Sequence, residues 1–140
     1  KKQFPVYDQW KRDWFRDYEH KGWFKTLHGF IFQGYMRRNE VINYPVQCTA
    51  FHCLLWSLIR LQKLLRKRRM KTLIVGQIHD SILADVPVGE MEDFVGLAHE
   101  VMVEQLRRTW QFVCTPLEID VEAAPEGCSW YDKVEYKLGG

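Results

Sequence analysis

Apolar residues recur along this chain with two different periods, and the switches between them lay out its elements. From Pro5 to His20, Tyr7, Trp10, Trp14 and Tyr18 return at spacings of three and four, which predicts an amphipathic helix ending before Gly22. Gly22 to Phe30, reading GWFKTLHGF, brackets aromatic residues with glycines and predicts a short strand or loop. Gly29, Gly34 and the polar stretch Arg37 to Glu40 then mark an irregular connection. Asn43-Tyr44-Pro45-Val46-Gln47 opens the longest helix, with Pro45 in a first turn where no backbone donor is needed. Phe51, Leu54, Leu55, Leu58, Leu61 and Leu65 form its apolar stripe, predicted to face a sheet. Leu73 to Pro87, LIVGQIHDSILADVP, is two apolar β-type runs meeting at the polar corner His79-Asp80-Ser81. It predicts a β-hairpin anchored by Ile74 and Ile78 on one arm and by Ile82 and Val86 on the other. Glu90 to Trp110 returns to the helical period through Met91, Phe94, Val95, Ala98, Val101, Met102 and Leu106. Pro116 to Glu122 alternates Leu117, Ile119 and Val121 with Glu118, Asp120 and Glu122, a half-buried strand with one acidic face. The tail GCSWYDKVEYK reads as a loop with aromatic anchors.

This order predicts an α+β fold: a small antiparallel sheet with a hairpin at its centre, packed on long amphipathic helices. At 140 residues and 46% hydrophobic the chain suits one domain, residues 1–140, and 14% aromatic content argues against disorder. No apolar run is long enough to span a bilayer and the start of the chain has no secretory pattern, so a soluble protein with no membrane partner is expected. The four cysteines form no CxxC pair and show no zinc-ligand spacing with the five histidines, so they read as reduced thiols in a cytosol-like compartment.

Net charge is only +2, but Arg60 to Lys71 holds seven of the twenty Lys and Arg residues. This run suits phosphate, and it equally suits the last turns of a helix, where cations complement the dipole. The strongest candidate for chemistry is Asp80, because a carboxylate lifted on two apolar strands must be solvated, hydrogen-bonded or bound to a cation. A turn Asp is also an ordinary turn residue. Asn43 and Gln47 lie off the apolar stripe. Carboxamides donate and accept together, which suits base edges, yet Asn before a helix ordinarily caps it, and capping is the favoured reading for Asn43. Asp120 is a minor metal-ligand candidate on a face expected to meet solvent. Trp10 and Trp14 read as core rather than base-stacking residues.

Four blocks then converge: NYPVQCTAFHCLLWSLIRL at Asn43 to Leu61, GQIHDSILADVP at Gly76 to Pro87, PLEID, and SWYD near the end. In this order they resemble the carboxy-terminal part of family A DNA polymerases, the polymerase I type. The resemblance implies a palm domain in which Asp80 is a catalytic carboxylate and the chain's ligand to a two-Mg²⁺ site for nucleotidyl transfer from dNTP to a primer 3′ end. It implies that His79 sits near that end as a second active-site residue, and that Asn43, Gln47, Gln77 and His79 are DNA-binding. Contacts from Asn43 and Gln47 to the minor-groove side of primer-template DNA would check pairing geometry without reading sequence.

The chain also departs from the family pattern. Ser81 stands where a second acidic residue is usual, Cys48 replaces a glycine, and Phe30, Ile31 and Phe32 replace arginines; these traits suggest a divergent lineage, of which a viral one is an example, and a cytoplasmic location, the host cytoplasm if viral, with an organelle as the alternative. The family's first metal-binding Asp and its fingers helix are not found in these residues. The second carboxylate must then come from outside the chain, and the partner is the remaining N-terminal and fingers part of the polymerase. Two other classes stay open: a non-catalytic DNA-binding module of the same fold, with salt-sensitive binding, and an assembly subunit docking through apolar surface.

Overall fold

The computed structural model describes residues 4–137, which divide into two compact units, one ending at His52 and the other beginning at Cys53. Helix α1 (Pro5–Lys21), strands β1 (Trp23–Lys25) and β2 (Ile31–Gln33) and the first part of helix α2 (Arg38–Arg68) belong to the first. The second holds the rest of α2, the hairpin β3 (Leu73–Ile78) and β4 (Ser81–Asp85), helix α3 (Met91–His99), a π-helical segment (Glu100–Gln105), the short α4 (Leu106–Thr109), and the ribbon β5 (Glu122–Ala123) with β6 (Val134–Glu135). The predicted α+β class holds, but the small sheet is three separate two-stranded antiparallel ribbons, β1-β2, β3-β4 and β5-β6.

In the first unit α1 stops at Gly22, whose φ of 71° lets its N–H return to the Tyr18 carbonyl at 2.7 Å. Tyr18, Phe24 and Val41 form the buried centre, with Trp14, Phe15, Phe32, Met36 and Tyr44 packed around it. The Tyr18 hydroxyl donates to the Gly34 carbonyl and accepts the Met36 N–H at 2.9 Å, which ties the segment entering α2 to α1.

Helix α2 corrects the expected boundary. It begins at Arg38, so Arg38 to Glu40 are already helical and only Arg37 stays in the connection, Asn43 is no cap, and Pro45 lies inside the helix. The start signal is Glu40, whose carboxylate accepts the Arg37 N–H at 2.6 Å, half of a capping box. Beyond the unit boundary, Leu54, Leu61 and Leu65 of the predicted stripe are buried, while Phe51 within the first unit is 47% exposed. The helix closes with Met70 N–H on the Leu65 carbonyl at 3.0 Å and Arg69 N–H on the Arg66 carbonyl at 3.1 Å, a Schellman pair with Arg69 at φ 55°.

The core of the second unit is Leu61, Leu65, Leu97, Ala98 and Val101, onto which Ile74 and Ile82 of the hairpin pack. Ile78 does not join them and is 49% exposed. The cause is a β-bulge: the register runs Ile74 with Ala84 and then Gly76 with Leu83, so Val75 is an extra residue. One unpaired residue reverses the alternation, which leaves Ile78 on the face opposite Ile74 and Ile82. The predicted helix over Glu90 to Trp110 is present as Met91 to Thr109, widened to a π-helix at its middle.

Pro116 to Val121 keeps the expected burial alternation, Leu117, Ile119 and Val121 being half-buried and Glu118 and Asp120 exposed. Only Glu122 and Ala123 acquire a strand partner, so this stretch is extended chain rather than the predicted strand. Of the tail's aromatics Tyr136 is half-buried, with its N–H on the Val121 carbonyl at 2.8 Å, whereas Trp130 is 54% and Tyr131 95% exposed, and a Ser129 to Asp132 capping box makes a one-turn helix of those two. Among the described residues, no helix is long and apolar enough to cross a membrane.

Candidate functional site

The hairpin turn is two residues long. Ile78 pairs with Ser81, so His79 and Asp80 alone make the corner. His79 adopts φ 52°, a left-handed conformation for which glycine is the usual residue and which a histidine enters at some cost. The Gln77 side chain secures the turn by donating from Nε2 to the His79 carbonyl at 2.9 Å. His79 and Asp80 are both exposed, and among the described residues no hydrogen bond or ion pair engages the Asp80 carboxylate. Its two oxygens are acceptors open to solvent and to any cation that reaches the tip.

Asp80 and Ser81 also border a groove of about 930 Å³ whose walls include Asp85, Glu118, Asp120 and Glu122. Lys133 meets Glu122 there at 2.8 Å. Asp120 therefore shares a groove with Asp80, although the described residues place no set of three His, Cys, Asp or Glu ligands around Asp80. The donor chemistry suits Mg²⁺, a hard cation that is commonly held by one or two carboxylates together with waters and substrate phosphates. Asp80 fits as one such ligand.

In the first unit, Asn43 and Gln47 are exposed and one helical turn apart, so both carboxamides stand on the same face of α2. Since the helix starts five residues before Asn43, capping does not occupy that side chain. The basic run divides. Arg60 and Lys63 line a cleft of about 570 Å³ with Trp56, Gln105 and Arg108, and Arg60 donates to Gln105 at 3.0 Å. Arg66, Lys67 and Arg68 occupy the last turn of α2, where they complement its dipole.

All four cysteines are free, as the sequence suggests, but sequence reasoning missed one cluster: Cys48 gathers with His28 and His52. The signal was there in Cys48-x-x-x-His52, one turn of helix, but its third member comes from a loop twenty residues earlier. Burial, and then the neighbouring His52, holds His28 below its ordinary pKa, while burial pushes the Cys48 thiol up.

Comparison with known proteins bears on the family. The chain is 32% identical over 107 residues to DNA polymerase I of Lactococcus lactis subsp. cremoris strain MG1363, covering 76% of this chain and 11% of that protein. It is 27% identical over 142 residues to DNA polymerase I of Streptococcus pneumoniae serotype 4, covering 93% of this chain and 15% of that one. The chain thus spans only a small part of the length of these relatives. A solved structure, the POL domain of Pol1 from M. smegmatis in complex with DNA primer-template and dNTP, aligns over 68% of this chain and 19% of its own, with a TM-score of 0.62 and 21% identity, which speaks for the fold. The family model of DNA polymerase family A matches residues 18–132, and the chain belongs to that family.

Proposed function

We propose that this chain is the palm portion of a DNA-directed DNA polymerase and that Asp80 is its ligand to the catalytic Mg²⁺. The observation that carries the reading is the Asp80 carboxylate: in a chain of this family, it stands exposed at a two-residue hairpin tip with no partner among the described residues. When bound, Mg²⁺ supplies positive charge for the attacking and leaving oxygens of nucleotidyl transfer.

The chain's own residues do the holding and positioning. The Ile78 to Ser81 pair and the Gln77 to His79 bond fix where the carboxylate points. His79, beside it on the turn, contacts the primer end. Asn43 and Gln47 lay two carboxamides along one exposed face of α2, suited to the minor-groove acceptors that every base pair presents alike. Ser81 offers a hydroxyl where the family pattern has an acid, so the second carboxylate comes from the remaining N-terminal and fingers part of the enzyme. The departures at Ser81, Cys48 and Phe30 to Phe32 fit a divergent lineage of the viral kind, whose place of work would be a host cytoplasm.

The test is Mg²⁺-dependent primer extension by the complete enzyme carrying this chain, comparing the parent with Asp80→Asn. A loss of several orders of magnitude with duplex binding retained is the expected result. Equal extension by both proteins would overturn the assignment and leave a DNA-binding or assembly module of the same fold.

A further inference from the structure

We propose a second metal site in this chain, a three-ligand site for a borderline-soft divalent cation of the Zn²⁺ type, built from His28, Cys48 and His52. Their ligand atoms all lie within 4.8 Å of one another. Cys48 Sγ is 3.7 Å from His28 Nε2 and 3.5 Å from His52 Nδ1. A tetrahedral Zn²⁺ with bonds of about 2.3 Å to sulfur and 2.0 to 2.1 Å to nitrogen holds those two atoms about 3.5 Å apart, so the observed separations match the edges of such a tetrahedron. The imidazoles lie nearly perpendicular, 76°, with centroids 3.8 Å apart.

The surroundings orient the ligands independently of any cation. Thr26 is 5% exposed, and its hydroxyl donates to the Phe30 carbonyl at 3.1 Å. Thr26 Oγ1 also lies 2.7 Å from His28 Nδ1, which leaves Nε2 as the ring nitrogen facing Cys48 Sγ. A ligating histidine whose other nitrogen is fixed by a hydrogen bond is the usual outer shell of a metal site. On α2, Cys48 and His52 are four residues apart and share a face, the spacing by which helices present paired ligands.

His52 Nδ1 also lies 2.8 Å from the Cys48 carbonyl, an acceptor, and so carries its proton in the metal-free chain. Binding through His52 Nε2 keeps that bond as an orienting contact, whereas binding through Nδ1 exchanges it for the metal, the Nδ1 proton passing to solvent while Nε2 takes one up, so that the ring stays neutral. In either case the thiol proton of Cys48 leaves to solvent, the thiolate and two imidazole lone pairs bond to the cation, and water takes the fourth position. Nitrogen and thiolate donors favour Zn²⁺ over Mg²⁺, so this site and Asp80 draw on different ions. Its effect is a clip from the β1-β2 loop to α2, fastened at the residue after Gln47.

The test is a titration of the intact, metal-stripped protein carrying this chain with Co²⁺, a coloured stand-in for Zn²⁺, followed by displacement with Zn²⁺. The expected result is one equivalent with tetrahedral d–d bands and a thiolate charge-transfer band. That band is lost in Cys48→Ser and kept when Cys114 and Cys128 are both changed to Ser; affinity falls at least tenfold in His28→Gln and in His52→Gln. Thr26→Val, which touches no metal, weakens binding about 10- to 100-fold. A purely octahedral spectrum, or a band that survives Cys48→Ser, overturns the site. Should Cys48→Ser fail to fold, alkylation of the unaltered protein decides: Zn²⁺ must protect Cys48 while Cys114 and Cys128, both exposed, still react. Equal labelling of Cys48 with and without Zn²⁺ overturns the proposal.

Discussion

The indole nitrogen of Trp14 donates at 3.0 Å to the carbonyl of Val41, a residue with 0% exposure. An uninterrupted helix would serve that carbonyl from the backbone N–H of residue 45, but residue 45 is Pro and has none. Trp14 thus supplies from α1 the donor that α2 lacks, which lets Pro45 sit inside a helix of 31 residues. Trp14→Phe keeps the ring and removes the donor, at an expected cost of about 1–3 kcal/mol for a buried unpaired carbonyl. In a Pro45→Ala background, where residue 45 regains its N–H, the same change should cost clearly less. A double-mutant cycle by urea denaturation measures the coupling, and additive costs would refute it.

The bulge at Val75 separates two isoleucines that the sequence treats alike. Leu61→Ala, at a position with 0% exposure, should destabilise by about 2–5 kcal/mol. Ile78→Ala, at 49% exposure, should cost less than about 1 kcal/mol, and Ile74→Ala should fall between the two. Equal losses at Ile74 and Ile78 in chemical denaturation would mean that the alternation is not reversed.

Glu90 holds the start of the hairpin through its carboxylate, which accepts from Lys71 N at 2.8 Å, Thr72 N at 2.9 Å and Thr72 Oγ1 at 2.7 Å. The Lys71 N–H bond first, and then the Thr72 hydroxyl, hold its carboxyl below the ordinary carboxylate pKa. A lowered folded-state pKa means that the carboxylate's contribution is complete above the unfolded value and is lost as pH falls through the folded one. Glu90→Gln should therefore lower the melting temperature at neutral pH and narrow the gap to the parent as the solution is acidified below the carboxylate range. Parallel pH profiles would show that the carboxylate charge is not what matters.

Arg69 occupies the left-handed position that ends α2, where glycine is usual. The left-handed conformation costs a non-glycine residue about 1–2 kcal/mol, and glycine returns about 0.5–1 kcal/mol of that in chain entropy. Arg69→Gly is accordingly expected to stabilise by about 0.5 kcal/mol or slightly more. Destabilisation in the same denaturation assay would indicate that the Arg69 side chain makes a compensating contribution.

Asp80 makes the opposite prediction to a structural acid. With its carboxylate exposed and without a partner among the described residues, Asp80→Asn should leave stability within about 0.5 kcal/mol of the parent while abolishing extension by the complete enzyme. A large drop in melting temperature would recast Asp80 as a turn residue.

Much of the site was legible because its determinants are local. Two β-type runs around His79-Asp80 announce a hairpin, since strand propensity and a polar corner act over a few residues. The helical stripe of Leu54, Leu61 and Leu65 was equally plain. What misled was competition from partners distant in sequence. Pro45 looks like a helix start until Trp14 supplies the missing hydrogen bond, and Asn43 looks like a cap only for as long as Pro45 does. The alternation at 117–121 persists in burial, but a strand needs a neighbour, and the residues it would pair with are not encoded in its own pattern.

By itself, the sequence determined the family, the helices and the hairpin that carries Asp80, because periodicity and ordered motif blocks are written in neighbouring residues. Only the tertiary structure decided which face Ile78 takes, since one bulged residue inverts every position beyond it. It alone brought His28 to Cys48 and His52, because a ligand set joined across a loop depends on where the backbone returns, and no spacing along the chain records that.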